Sequence, residues 1–197
     1  YTMSQYEKTT VTKPWGYEYL AYQNEKVALW FLYIGYGQQT SMHCHPNKTT
    51  GLILLDGEAE ISFFGNKFNL KPVSKTMIRK GLFHSTKAIS KKGAYVFEIE
   101  TPVDKHDLVR LEDKYGREGL AYEDSTFEAP KKDDCLWIKN ENSNYKFSNC
   151  DIKVETITDI DQFNKKDSSL VIPDGNENIV FLDGGIEDGE SNMVAQA

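Results

Sequence analysis

Gly37-Gln38-Gln39-Thr40-Ser41-Met42-His43-Cys44-His45 is the stretch that decides how this chain folds. Successive side chains of a β-strand project to opposite faces, so His43 and His45 share one face while Cys44 takes the other. Two imidazoles on one rigid strand form a clamp that suits one divalent transition metal (Zn, Fe, Mn, Ni or Co) and leaves room for a third protein ligand and open positions. Taken alone, a His-x-His pair is also met as a packed or surface pair. His84 is the evident third ligand, because it ends Gly81-Leu82-Phe83-His84, where the glycine permits a tight turn that aims the next strand inward.

Around this clamp, short β-branched and aromatic runs alternate with Gly, Pro, Asn and Lys turns, the spacing of an all-β sandwich or barrel. The predicted strands are 17–22, 27–34, 40–45, 50–55, 58–64, 67–70, 76–79, 83–88 and 94–100. Asp104–Tyr115 carries Leu108 and Leu111 among charges, between Pro102 and Gly116, which predicts one short helix closing the barrel. Ala129-Pro130 marks a boundary. Beyond it, Cys135–Lys139, Tyr145–Ile157 and Ile179–Leu182 are further candidate strands joined by polar loops. Leu52–Glu60 is echoed by Ile179–Glu187, either as a degraded partial second copy of the barrel or as two strands that share an Asp-Gly hairpin signal.

The composition is that of a globular chain: 197 residues, 39% hydrophobic and 12% aromatic, suffice for one core with a smaller appendage. The net charge of −7 is unevenly placed, with 16 basic and 16 acidic residues in 1–130 but 7 and 14 in 131–197. No basic stripe is present to neutralise phosphate backbones, which argues against a nucleic acid partner. The apolar runs Val27–Ile34 and Gly51–Leu55 are far shorter than a bilayer-spanning segment, so no membrane association is expected. The first residues lack a basic region followed by an apolar one, and a cytoplasmic location is the expectation. Cys44, Cys135 and Cys150 are odd in number and lack paired zinc spacing, so they read as idle thiols.

Gly37, His43-x-His45, Gly57 and Gly81-x-x-His84 resemble, in order and separation, the two sequence motifs of the cupin superfamily. The resemblance implies a cupin barrel (a double-stranded β-helix, or jelly roll) over residues 10–125, with a short C-terminal helix and a β-rich extension over 131–197. It also implies that His43, His45 and His84 converge on one ion. Cupins usually supply a glutamate a few residues after the second histidine, and the spacing to Gly57 places Thr50 there. Such a neutral three-histidine site is found in some oxygen-activating cupins, or is a relic of lowered affinity.

A narrower resemblance, over about residues 11–118, is to the type II mannose-6-phosphate isomerase domain. Lys13-Pro14-Trp15-Gly16 resembles that family's opening motif, Thr40–His45 its Ser-Leu-Gln-x-His strand, and Leu108–Arg117 its closing segment. Carried over, His45 and His84 fall on metal ligands, His43 replaces a glutamine ligand, Thr50 replaces the glutamate, and Arg79 stands where a proline is usual. The implied chemistry is aldose–ketose isomerisation: an ion polarises sugar oxygens while a base moves a proton between C1 and C2. Glu98 is the candidate base, sharing a strand face with Glu100 opposite Tyr95, Phe97 and Ile99. That face is either the barrel interior or an outer, solvated one.

Lys48, Arg79 and Arg110 are the candidate phosphate-binding cations. The expected function is a metal-binding cupin acting on a small-molecule sugar or sugar phosphate, isomerase- or epimerase-like. Its alternatives are a non-catalytic sugar-binding or regulatory cupin and a three-histidine Fe(II) dioxygenase. By analogy with cupins that pair through strand edges, a homodimer is expected.

Overall fold

The computed structural model describes residues 6, 9–23, 25–120, 127–128, 143–148, 151–154, 185–187 and 193–196. Two antiparallel sheets dominate it. The larger has seven strands in the order β12 (Phe127–Glu128), β1 (Thr10–Lys13), β2 (Gly16–Gln23), β3 (Ala28–Ile34), β10 (Ala94–Thr101), β5 (Thr49–Gly57) and β8 (Lys75–Ile78). The smaller has five, in the order β11 (Val109–Glu112), β4 (Met42–Cys44), β9 (His84–Ala88), β6 (Ala59–Phe63) and β7 (Asn66–Leu70). The chain crosses repeatedly from one sheet to the other, which is the double-stranded β-helix of a cupin barrel.

Side-chain alternation fixes what faces inward. Trp30, Leu32 and Ile34 of β3, Leu52 and Leu54 of β5, and Val96 of β10 pack with Ala59, Ile61 and Ala88 of the smaller sheet as the barrel core. Their neighbours Leu29, Phe31, Ile53, Leu55 and Phe97 form a second apolar cluster on the opposite face of the larger sheet. The larger sheet is therefore buried on both faces, and its strands are apolar in both registers. By the same parity Glu98 and Glu100, in step with Ala94 and Val96, project into the barrel.

Gly57 shows how tightly the hairpins close. Its φ is +84°, and a Cβ there would stand 2.0 Å from the carbonyl oxygen of Gly93.

Each predicted strand of 17–100 is present with small shifts of its ends, and β1 is an addition. The predicted helix over Asp104–Tyr115 is corrected: the segment forms turns followed by β11, which pairs antiparallel with β4. In β11 it is Arg110 that is buried, while Val109 and Leu111 are exposed. The barrel interior at this edge is polar, so the apolar positions mark the outside.

Within 131–197 two hairpins are described, β13 (Ser143–Lys146) with β14 (Asp151–Val154) and β15 (Gly185–Glu187) with β16 (Met193–Gln196). The candidate strand over Tyr145–Ile157 is thus a hairpin in its described part. Cys135–Lys139, Ile179–Leu182 with most of the echo, Cys135 and Cys150 lie outside the described residues. Phe147 packs against the second cluster, and the Ser148 hydroxyl donates to Asp56 at 3.1 Å. Among the described residues no helix is long and apolar enough to cross a membrane.

Candidate metal centre

Three short elements of the smaller sheet bring the histidines together. His43 lies on β4 and pairs in register with His84 at the start of β9 on one side and with Arg110 of β11 on the other. His45 follows β4, and its carbonyl accepts from the Gly81 amide at 2.8 Å, tying the turn before β9 to the end of β4. Ring centroids lie 4.4 Å apart for His43–His84, 5.1 Å for His43–His45 and 5.6 Å for His45–His84. One donor nitrogen from each falls within 4.8 Å of the other two.

Each ring is fixed by a backbone carbonyl. His43 Nδ1 meets Ser41 O at 2.8 Å, His45 Nδ1 meets Asp107 O at 2.7 Å and His84 Nδ1 meets Leu82 O at 3.0 Å. A carbonyl only accepts, so each Nδ1 carries the proton and each Nε2 keeps its lone pair for another partner. Buried His45 Nε2 has no hydrogen-bond partner. Burial holds His43 well below the usual histidine range, with His84 and His45 adding to the effect, and it lowers His45 and pushes His84 down to about 4. Three neutral imidazoles, oriented from behind and aimed together, are the donor set and outer support that a transition ion requires.

Asp107 braces the other side of the clamp. Its carboxylate accepts from the Asn47 amide, Asn47 Nδ2 and the Lys48 amide, each at 2.9 Å, while its carbonyl orients His45. Burial works to raise its carboxyl, but these donors hold it below the ordinary range. This role is not visible in the sequence, where the segment reads as a short helix closing the barrel.

The cavity beside the histidines is lined by Lys13, Trp15, Glu18, Leu32, Thr40, Ser41, His43, His45, Lys48, Glu98, Glu100, Lys105, Leu108, Arg110 and Arg117. It holds about 50 Å³, space for an ion and a few water-sized groups. Of the predicted site residues, His43, His45, His84, Glu98, Lys48 and Arg110 come together in or against this cavity. Arg79 is exposed and is not among the lining residues. Lys13, Glu18, Lys105 and Arg117 are additional members. Only the assembled barrel, not spacing along the chain, reveals them.

Lys48 is 1% exposed and donates to Glu100 Oε1 at 2.8 Å. Lys105 stands 3.1 Å from Glu18 and 3.9 Å from Glu100, over the Trp30 ring at 3.6 Å from its centroid. This network separates two neighbouring carboxyls. Burial and the facing Glu100 charge push Glu98 up to about 8. For Glu100, burial acts in the same direction, but Lys105 and Lys48 outweigh it and keep the carboxylate ionised. One neutral and one charged carboxyl side by side is an arrangement suited to proton transfer.

A cupin barrel with an inward three-histidine cluster is what the fold and the site define, and the chain has the architecture of the cupin superfamily. Among similar solved structures, the cupin domain of Cnp3 from Schizosaccharomyces pombe is 15% identical, with a TM-score of 0.41 over 43% of this chain and 63% of that one. A putative sugar phosphate isomerase from Acidithiobacillus ferrooxidans is 15% identical, with a TM-score of 0.38 over 40% and 52%. The capsular polysaccharide assembling protein CapF from Staphylococcus aureus is 13% identical, with a TM-score of 0.49 over 53% and 34%. The match thus spans less than two thirds of each of these proteins. No family model and no curated protein matches the sequence.

Proposed function

We propose that the protein is a metal-dependent cupin acting on a sugar or sugar phosphate, most simply as an aldose–ketose isomerase or epimerase. The observation that carries this reading is the juxtaposition of the three oriented imidazoles with Glu98, whose carboxyl and that of Glu100 each place an oxygen within 4.8 Å of a His45 ring nitrogen. His43, His45 and His84 would hold the ion. When bound, a divalent ion supplies Lewis-acid polarisation of the substrate's carbonyl and hydroxyl oxygens and favours the ionised form of a nearby carboxyl.

Ionised Glu98 removes the proton from C2, the electron pair of the broken C–H bond forms the C1–C2 double bond as the carbonyl pair moves onto O1, the O2 proton passes to O1, and the same carboxyl returns its proton to C1 as O2 becomes the carbonyl. Glu100 stays ionised beside it and sets how readily Glu98 gives up its proton. Five cations, Lys13, Lys48, Lys105, Arg110 and Arg117, line the cavity against three glutamates. Arg117 is paired with Asp113 at 2.7 Å, Lys48 with Glu100 at 2.8 Å, and Lys13 and Lys105 with Glu18 at 3.7 and 3.1 Å. Arg110 and Lys48 are the phosphate contacts of this reading, and exposed Arg79 is left out of it. At about 50 Å³ the cavity admits only part of such a substrate.

The test is calorimetric titration of metal-loaded protein with a sugar-phosphate panel that begins with mannose 6-phosphate. Saturable binding that is lost on chelation supports the proposal, and flat heats across the panel with one equivalent of metal bound reject it. A second reading, a three-histidine Fe(II) dioxygenase, is favoured by Thr50 on β5, which leaves His43, His45 and His84 as a neutral ligand set. Oxygen uptake that occurs only with ferrous iron distinguishes it.

A further inference from the structure

Thr50 stands on β5 where the cupin pattern has a carboxylate, and the register of the larger sheet pairs it directly with Glu100 of β10. Both are fully buried, and parity along their strands turns both into the barrel. A threonine side chain is shorter than the carboxylate of that pattern, and Glu100 is its cross-strand neighbour.

Three buried polar atoms here have no hydrogen-bond partner: Thr50 Oγ1, Glu100 Oε2 and His45 Nε2. Buried polar atoms are seldom left unsatisfied, so three together mark a missing partner. A cation meets the need of all three, because each offers a lone pair. Glu100 Oε1 is already taken by Lys48, which leaves Oε2 to face the ion. Carboxylate oxygens of Glu100 and Glu98 and a ring nitrogen of His45 lie within 4.8 Å of one another, so His45 is common to this group and to the three-histidine group.

We propose that Glu100 supplies from β10 the carboxylate that Thr50 no longer supplies from β5, joining His43, His45 and His84 as the acidic ligand of the ion. The inference rests on the reading of the histidine cluster as a metal centre. Lys48 then acts as a positioning residue that holds Glu100 Oε1 and turns Oε2 inward. Glu98 keeps its separate place as the proton-moving group.

The test is Co(II) binding, read by visible absorption and by competition with a chelating dye, so that no turnover is needed. Glu100→Gln should lower affinity by about 10–100-fold and alter the cobalt spectrum, whereas Arg79→Gln, at an exposed residue outside the cavity lining, should leave both near the parent values. Thr50→Glu combined with Glu100→Gln returns the carboxylate to β5 and should recover most of the affinity. If Glu100→Gln does not fold, Glu100→Asp retains the charge opposite Lys48 but draws the free oxygen back, and it should show the same weakening.

Unchanged affinity and spectrum in the folded Glu100 variants overturn the proposal while leaving the three-histidine centre intact. Weakening by Glu98→Gln alone overturns it in favour of the neighbouring carboxyl. Absence of Co(II) binding by the parent protein rejects both the inference and the metal centre on which it rests.

Discussion

Glu98→Gln is expected to stabilise the metal-free protein at neutral pH. Burial and the Glu100 charge raise the Glu98 carboxyl from 4.5 to about 8, so at pH 7 the folded state holds a proton that the unfolded chain has released. A folded-state pKa above the unfolded one means that the native protein binds the extra proton. Stability is then greatest below about 4.5 and declines as pH rises toward 8. At 1.36 kcal/mol per unit, ordinary ionisable Glu98 costs roughly 3 kcal/mol at pH 7, and water at the cavity mouth reduces this to ~2 kcal/mol.

Glutamine removes the titration yet keeps the shape and a donor toward Glu100. Urea unfolding of chelator-treated parent and variant at pH 5, 7 and 8.5 measures the difference. The variant should gain about 2 kcal/mol at pH 7 and little at pH 5, and its stability should depend less steeply on pH. A variant that is less stable than the parent at pH 7, with the same pH slope, would show that Glu98 is not held neutral in the barrel.

The histidines titrate with the opposite sign. In the Glu98→Gln background His84, at about 4, should cost the metal-free protein roughly 2–3 kcal/mol as pH falls from 6.5 to 4.5, and His84→Gln should flatten that loss in denaturant titrations. His84→Ala should abolish stoichiometric metal in elemental analysis of untagged protein reconstituted with Zn, Fe, Mn, Ni or Co, and retention of one equivalent would refute the three-histidine centre. Lys48→Met leaves buried Glu100 without its 2.8 Å partner and should destabilise the fold by ~3 kcal/mol, a loss largely recovered by adding Glu100→Gln in a double-mutant cycle. Asp107→Asn weakens the brace on Asn47 and Lys48 and should reduce metal affinity about tenfold in dye competition while the fold persists.

The barrel was legible because its strands carry apolar residues at both parities, and because glycines and polar turns punctuate them. The histidine cluster was legible for a different reason: His43 and His45 need only strand geometry to share a face, and Gly81 signals the turn that presents His84. Strand geometry could not say which face of β10 is inside. Both of its faces are buried, one by the barrel core and one by the second cluster, so alternation of polarity does not orient it. The segment around Arg110 misled because a polar cavity inverts the usual pattern, with leucine and valine outside and arginine within. Asp107, Lys105 and Glu18 were invisible because their roles depend on partners distant in the chain, such as Asp107 with Asn47 and Lys105 with Glu18.

The different fates of Glu98 and Glu100 follow from register and not from any chemical difference between them. On β10 Glu98 is flanked across the sheet by Trp30 of β3 and Leu52 of β5, two bulky apolar side chains. Glu100 is flanked by Ala28 and Thr50, whose small side chains leave space for Lys48 and Lys105 to reach its carboxylate. Two residues of displacement therefore turn one carboxyl into a neutral, proton-holding group and the other into a fixed charge. The threonine at 50 contributes twice: it removes a carboxylate from β5, and it opens the space in which the carboxylate of β10 is held ionised. A larger apolar residue at 50 would close that space, force Glu100 away from its lysines and remove the charge asymmetry between Glu98 and Glu100.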